Sequence, residues 1–417
     1  MVAPPTTAQP VSTGYWQIGR ELATASVAPV FASVKSKALQ PSNKPQWLRD
    51  ASYWGDMNEL HDLQQGPAWA ELTIPESPLY GDTFGHLLLG FFGDMYSVGT
   101  ASTPTWTTSS ALSAGATSIA VTSGSSAVSG TFIQVDSTAG DSELVTVGTG
   151  STATNIVLSA NTPLRFSHLT GIAITTVVAP FTSTFATLNP GSSTGLTSCQ
   201  PPSHSVVHHN YLPGSGGYYA DQFLYAVVTD LSIMGTASGW MTYSAKLTSY
   251  LQSTPAGTIT AALSTVKGVP AYKSTSTIAS TAVNDIAKWS IDFSRKVDVI
   301  PTADGQQAPY FLGLGQISAK FKLTVNPAVD ESQLSNMLSN TQPTLSWAAS
   351  NGLSGSSLQS LTINAELAGY EGADLTAVNQ FWGYDISGEL VASSTYAGNS
   401  GGNTVCQVIL ENGTAGY

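Results

Sequence analysis

Trp289-Ser-Ile-Asp-Phe-Ser-Arg-Lys296 and, twenty residues on, Gln316-Ile-Ser-Ala-Lys-Phe-Lys-Leu323 decide the fold class. In the first, Trp289, Ile291 and Phe293 alternate with Ser290, Asp292 and Ser294. In the second, Ile317, Ala319, Phe321 and Leu323 alternate with Ser318, Lys320 and Lys322. A period of two puts every apolar side chain on one face of an extended strand and every polar one on the other. Met241, Tyr243, Ala245 and Leu247 repeat the pattern, and Tyr225 to Met234, Leu358 to Leu367 and Thr404 to Glu411 read as further strands. The chain is expected to be mainly β, an antiparallel sandwich or barrel.

Helical signals are few. Ser77-Pro78 reads as an N-cap followed by proline at the first helical position, and Leu79, Phe84, Leu87, Leu88, Phe91 and Phe92 give a broad apolar face that stops at Gly93. A shorter helix from Asp330 would carry Leu334, Met337 and Leu338 inward. Both helices are expected on the flank of the sandwich. The segment from Trp47 to Trp69 holds three tryptophans but no clean periodicity, and it reads as a long loop, either a functional arm or a cover over the core.

Between Thr107 and Val178 the composition shifts, with 27 Ser or Thr, one basic residue (Arg165) and no tryptophan. Five short apolar runs there, within Thr117–Val121, Phe132–Val135, Glu143–Val147, Asn155–Leu158 and Gly171–Ile174, are separated by Gly/Ser turns. They predict a small all-β domain over 107–178 inserted into a discontinuous domain of 1–106 and 179–417.

Over the 417 residues, 42% are hydrophobic and only 10% charged, against about 25% charged in an average globular protein. Ser and Thr total 102, so the surface is hydroxyl-rich and ion-poor. That hydrophobic content excludes disorder, and the scarcity of Glu, Lys and Arg excludes a coiled coil. The net charge of −12 argues against a phosphate-neutralising groove. From Leu323 to Tyr417 there are eight acids and no Lys or Arg. No secretory signal is legible before Pro4-Pro5, and the longest apolar run, Leu87 to Phe92, is far too short to span a bilayer. Synthesis in the cytoplasm and no membrane partner are expected. Cys199 and Cys406 leave pairing open, free thiols being the commoner case.

Chemistry-bearing motifs are sparse. His204, His208 and His209 follow two prolines in a poor helical context without a nearby third ligand, and they read as a solvated or interface loop. Asp136, Asp141 and Glu143 do not match a calcium loop and read as a charged turn between strands. No phosphate-binding Gly-rich loop and no nucleophile elbow occurs. No enzyme, metal or cofactor is expected.

The order of segments carries a resemblance. Ala70-Glu-Leu-Thr-Ile-Pro-Glu-Ser-Pro-Leu79 leads into the helix through Leu88-Leu-Gly-Phe-Phe-Gly93. Phe181-Thr-Ser-Thr-Phe185 comes next, then Val228-Thr-Asp-Leu-Ser-Ile-Met234 and Trp240-Met-Thr-Tyr-Ser-Ala-Lys-Leu247, and then the two strands quoted at the outset. Outside the insert, this order resembles the major tail tube proteins of bacteriophages with long non-contractile tails. The insert, with Gly115-Ala-Thr-Ser-Ile119, the Glu143 strand and Pro163-Leu-Arg-Phe-Ser-His168, resembles a small β-module of phage structural proteins. The resemblance implies a virion protein that self-assembles into hexameric rings, which stack into a hollow tube with the insert on its exterior. Implied partners are other copies of the chain, a tape-measure protein, and tail terminator and distal tail proteins, with viral DNA passing through unbound. Within the Asn43–Gln65 loop, Trp47, Tyr53, Trp54 and His61 are the implied inter-ring candidates. Asp330, Glu331, Glu366, Glu371 and Asp374 are candidate lumen acids, a wall that repels DNA over about 8–10 Å at physiological salt. Lys320 and Lys322 fit this least well, and are expected to face the exterior or a neighbour's acids. The alternative readings are another virion or secretion-apparatus β-protein, such as a terminator or decoration protein, and a secreted carbohydrate-binding protein with its platform in Trp47–Trp69.

Overall fold

The computed structural model describes residues 14–52, 60–122, 124–136, 142–189, 200–212, 217–255, 263, 265–303, 305–326, 332–378 and 381–417. In chain order the elements begin with β1 (Tyr15–Arg20), β2 (Ala32–Val34), β3 (Gln40–Asp50), β4 (Asp62–Pro78), α1 (Gly81–Phe92) and β5 (Gly93–Thr107). The short strands β6 (Ser118–Ala120), β7 (Phe132–Val135), β8 (Glu143–Thr146) and β9 (Asn155–Val157) follow, then β10 (Ala173–Thr187), β11 (His204–Leu212), β12 (Gly217–Thr236) and β13 (Thr242–Ser249). Next come β14 (Thr275–Ile278), β15 (Thr281–Val283), β16 (Ile286–Ile300), β17 (Phe311–Val325) and α2 (Ser332–Leu338). The chain finishes with β18 (Leu345–Ser350), β19 (Ser360–Ala365), β20 (Leu367–Val378), β21 (Phe381–Val391) and β22 (Gln407–Asn412).

The fold is mainly β and antiparallel. One sheet runs β2-β1-β11-β12-β16-β17-β21-β20, with β13, β4 and β3 branching from β12. A second runs β15-β14-β18-β19-β22-β10-β7-β8, with β5 on β10. The first sheet is open, not a closed barrel: β2 and β20 end the path at opposite edges. The alternating strands bury the faces their sequences assign. Trp289, Ile291, Phe293, Ala319, Phe321, Leu323, Tyr243, Ala245 and Leu247 all enter one large core. Ile317 is only half-buried, because a register break between Arg295 and Val297 shifts the phase of the hairpin. Beyond it, Leu312 and Leu314 turn to the other face and join Tyr225 and Val227 in a small separate cluster.

Helix α1 departs from expectation in two ways. It starts at Gly81 with Tyr80 as its N-cap and no side-chain cap, while Ser77 and Pro78 remain in β4. The Ser77 hydroxyl is already engaged, donating to the Pro75 carbonyl at 2.8 Å and accepting from the Lys37 amide at 3.0 Å. Nor does α1 lie on a flank: it touches β1, β2 and β12 of one sheet and β5, β10 and β22 of the other, so it fills the sandwich. Apart from Asp82 it has no exposed polar face, and a helix apolar all round must be buried. At Gly85 a Cβ would lie 2.2 Å from the Tyr417 ring, so only glycine lets that ring seat on the helix. Gly93 ends the helix at φ +84°, its amide bonded to the Leu89 carbonyl. The short α2 packs against β20, but Leu338 is 75% exposed instead of pointing inward, since the seven-residue helix has too little length to bury three apolar positions.

The five short runs of the Ser/Thr-rich segment form β6, β7, β8, β9 and the start of β10. A second core, from Trp106 to Ile174, includes Ile119, Ile133, Val145, Ile156 and Leu158. Strands β5 and β10 serve both cores, pairing from Gly93–Thr187 to Thr107–Ala173. The small unit therefore grows out of the second sheet.

Candidate assembly surface

Most of the Trp47–Trp69 segment is a β-ribbon instead of a loop. β3 pairs with β4 from Gln40–Thr73 to Asp50–Asp62, and the His61 amide donates to the Asp50 carbonyl at 2.9 Å. β13 supports β4 only from Ala70 to Pro78, so Asp62 to Trp69 have β3 as their sole strand partner among the described residues. Pro41 and Pro45 lack amide hydrogens and mark β3 as an edge. Trp47 and Leu48, adjacent and so on opposite faces, are 50% and 52% exposed, and Leu60 and Leu63 are 45% exposed. Periodicity is absent here because, around Trp47, Leu48, Gln64 and Gln65, neither face of the ribbon is covered by the described residues. Tyr53 and Trp54 lie outside the described residues; His61 is half-buried at the ribbon's end.

The outer face of the large sheet carries interleaved charges. Lys320 on β17 meets its register partner Glu389 at 3.1 Å, and Lys246 meets Asp230 at 3.9 Å. The bond to Glu389, then the charges of Glu389 and Glu371, raise the Lys320 pKa. Lys320 is therefore matched by its own chain's acids. Glu371 and Asp374 are exposed on β20, where Asp374 stands opposite Asp385, while Glu366 is half-buried at the β19–β20 junction. Asp385 accepts from the Thr324 hydroxyl at 2.8 Å. Asp330 and Glu331 lie outside the described residues. Of the proposed acids the structure thus brings Glu371 and Asp374 to one face, beside lysines. β20 ends the sheet path, with β21 on one side and no described strand pairing on the other.

The histidine cluster is not a solvated loop. His204, His208 and His209 lie on β11, with His204 and His209 buried. His209 stacks on Tyr15 at 4.4 Å and meets Gln17 Oε1 at 3.0 Å, on the face opposite His204 and His208. Burial lowers the His209 pKa to about 4 and holds that of His204 well below the ordinary value. Pro201-Pro202 misleads as a loop signal because the two prolines stop just before the strand.

Asp136 and Glu143 flank the β7–β8 connection as expected, but both are buried. Glu143 accepts from the Arg165 and Phe166 amides and from His168 at 2.8 Å, while Asp136 lies 4.0 Å from the other ring nitrogen of His168. Asp141 lies outside the described residues. No group of three or more His, Cys, Asp or Glu able to hold a metal occurs among the described residues.

Sequence reasoning missed Glu21. It is 5% exposed and accepts from the Ser203 and Ser205 hydroxyls and the Ala25 and Tyr225 amides, at 2.6–3.0 Å. Three of the four donors come from distant points of the chain, so no local motif announces the shell. Cys406 is a free buried thiol whose pKa burial raises, and Cys199 lies outside the described residues. No helix among the described residues is long and apolar enough to cross a membrane.

No protein-family model matches the chain, and no curated protein matches it.

Proposed function

We propose that this chain is a structural, self-associating subunit that builds stacked rings, the architecture implied by its resemblance to phage major tail tube proteins. The observation that carries the reading is the outer end of the β3–β4 ribbon, where Trp47 and Leu48 stand half-exposed on opposite faces beside the exposed Leu60 and Leu63. An isolated two-stranded ribbon is marginal in water, and one with Trp47 and Leu48 on opposite faces gains most when a neighbouring copy packs on it. The edge of β20, which has no described strand on its outer side, supports the same reading, since strand pairing between copies satisfies such an edge. Head-to-tail contacts of this kind build open stacks.

In this reading the tube is a virion component that holds a tape-measure protein and later conducts DNA. With a net charge of −12, its wall does not retain phosphates. Glu371 and Asp374 contribute to an interleaved surface of net negative sign instead of a lysine-free wall. The runner-up, another ring-forming virion or secretion-apparatus protein, shares the ribbon argument and differs only in stacking. Negative-stain microscopy of concentrated protein tests both. Hollow tubes are expected, single rings would favour the runner-up, and monomers at all concentrations would overturn the self-association reading.

A further inference from the structure

A cavity of about 410 Å³ lies at the seam between the Ser/Thr-rich unit and the main body. Arg20, at the end of β1, and Arg165, from the Pro163–His168 segment, both line it. Much of the remaining wall is apolar, including Leu22, Val30, Phe132 and Leu144. Its size falls within the range of about 300–1,000 Å³ usual for small-molecule sites.

The two guanidiniums differ in how they are satisfied. Arg165 donates to the Met95 carbonyl at 3.2 Å and to the Gly93 carbonyl at 3.3 Å, which fixes it over the C-terminal end of α1. Arg20 makes no hydrogen bond or ion pair with any described residue. Burial, and then the charge of Arg165, lower its pKa to about 10, so it stays cationic at neutral pH.

Two carboxylates also line the cavity. Glu143 is committed, taking three hydrogen bonds from Arg165, Phe166 and His168. Asp82 sits in the first turn of α1, where the helix dipole favours it, and its Oδ1 is buried away from any partner. Two further titratable groups on this wall are neutral at pH 7: His86, its pKa lowered to about 4 by burial and then by Arg20, and the Tyr417 phenol, raised by burial. The wall therefore offers one cation that makes no hydrogen bond or ion pair with a described residue and feels only the more distant charge of Glu143, and a second with donors to spare. Arg20 is half-buried in this wall, and a partly desolvated charge gains from a partner that replaces its lost water.

We propose that this cavity binds a small oxyanion, a carboxylate or phosphate group, held by the Arg20 guanidinium with Arg165 alongside. A guanidinium presents parallel N–H donors that match two oxygens of such a group, and the apolar walls accept a short organic body attached to it. Because Arg20 belongs to the main body and Arg165 to the small unit, the bound anion ties the two across their seam. This site is independent of the tube reading.

The test uses the full chain and inorganic phosphate as probe, at constant ionic strength against chloride. Calorimetric titration should show one phosphate per chain, and thermal melting should shift upward with phosphate but not with chloride. R20M should weaken phosphate binding at least about tenfold, and R20K, which keeps the charge but loses the fork, should weaken it by less. Equal melting of wild type in phosphate and chloride would overturn the site, as would undiminished phosphate binding by R20M. Loss of self-association in R20M without phosphate binding by wild type would also overturn it, because Arg20 would then serve a carboxylate of a second copy.

Discussion

Two long hairpins of the same sheet, β16–β17 and β3–β4, contrast in what covers them. In β16–β17, Trp289, Ile291 and Phe293 stand beside Leu323, Phe321 and Ala319 across the ladder, and all six are buried by the chain itself. In β3–β4, Trp47 faces Gln65 and Leu48 faces Gln64, and all four are exposed. Period-two alternation is thus a record of burial inside one chain, and a strand whose faces are left open to solvent or to other chains does not write it. Truncation separates the two cases. Phe321→Ala should destabilise the monomer by about 3–5 kcal/mol, seen as a lower denaturation midpoint at unchanged slope. A comparable loss from Trp47→Ala would mean that the ribbon is covered by its own chain after all.

Acid should act on the covered region and spare the ribbon. His86, on α1 between the sheets, has its pKa lowered by burial from 6.5 to about 4. Between those values the unfolded chain binds a proton that the folded chain refuses. Stability is therefore full above pH 6.5 and falls as pH drops toward 4, by about 3 kcal/mol from this residue. Glu21 works in the opposite sense, because burial raises its pKa and the folded state keeps its proton above the ordinary 4.5. Over the shared window His86→Leu should flatten the fall and Glu21→Gln should steepen it, both read from melting curves against pH. A ribbon variant should trace the wild-type profile.

The comparison also applies within the β16–β17 hairpin. Beyond the register break, Leu312 and Leu314 abandon the main core for the small cluster with Tyr225 and Val227. Leu312→Ala should cost about 2 kcal/mol, less than Phe321→Ala, because fewer neighbours surround the void. Hydrogen exchange should open this distal half before the half held by Phe321. Uniform protection along both strands would show that the break does not divide the hairpin energetically.

What was legible in the sequence follows the same division. The strands with one covered face, and the strands of the Ser/Thr-rich unit, could be read because apolar residues recur at the period the backbone imposes. The place of α1 was misread because Leu87 to Phe92 looks alike on a flank and between two sheets, and only the second sheet decides it, whose strands β10 and β22 on α1 lie more than eighty residues on. The Ser77-Pro78 signature was correct local chemistry overruled by the β4–β13 ladder, which runs through Pro78. Tertiary donors account for the rest: apart from the Ala25 amide, the shells around Glu21 and Glu143 join residues 22 to 204 positions apart. That Arg20 makes no hydrogen bond or ion pair with a described residue is equally invisible, since it depends on which groups the fold brings near and which it keeps away.

The smallest expected effect on folding is the one that decides association. Replacing Trp47 and Leu48 together by serine removes about half-exposed apolar surface from each face of the ribbon, and should change monomer stability by no more than about 0.5 kcal/mol. If neighbouring copies cover those faces, the same change should abolish assembly at concentrations where the wild type forms rings or tubes. Aromatic anchors commonly carry a disproportionate share of an interface. Light scattering and negative-stain microscopy on the two proteins, matched in melting temperature, separate the outcomes. Equal assembly by both would show that the ribbon's open faces meet only solvent, leaving the edge at β20 as the surface to break next. Assembly by neither would remove the basis for reading its missing alternation as the mark of a partner.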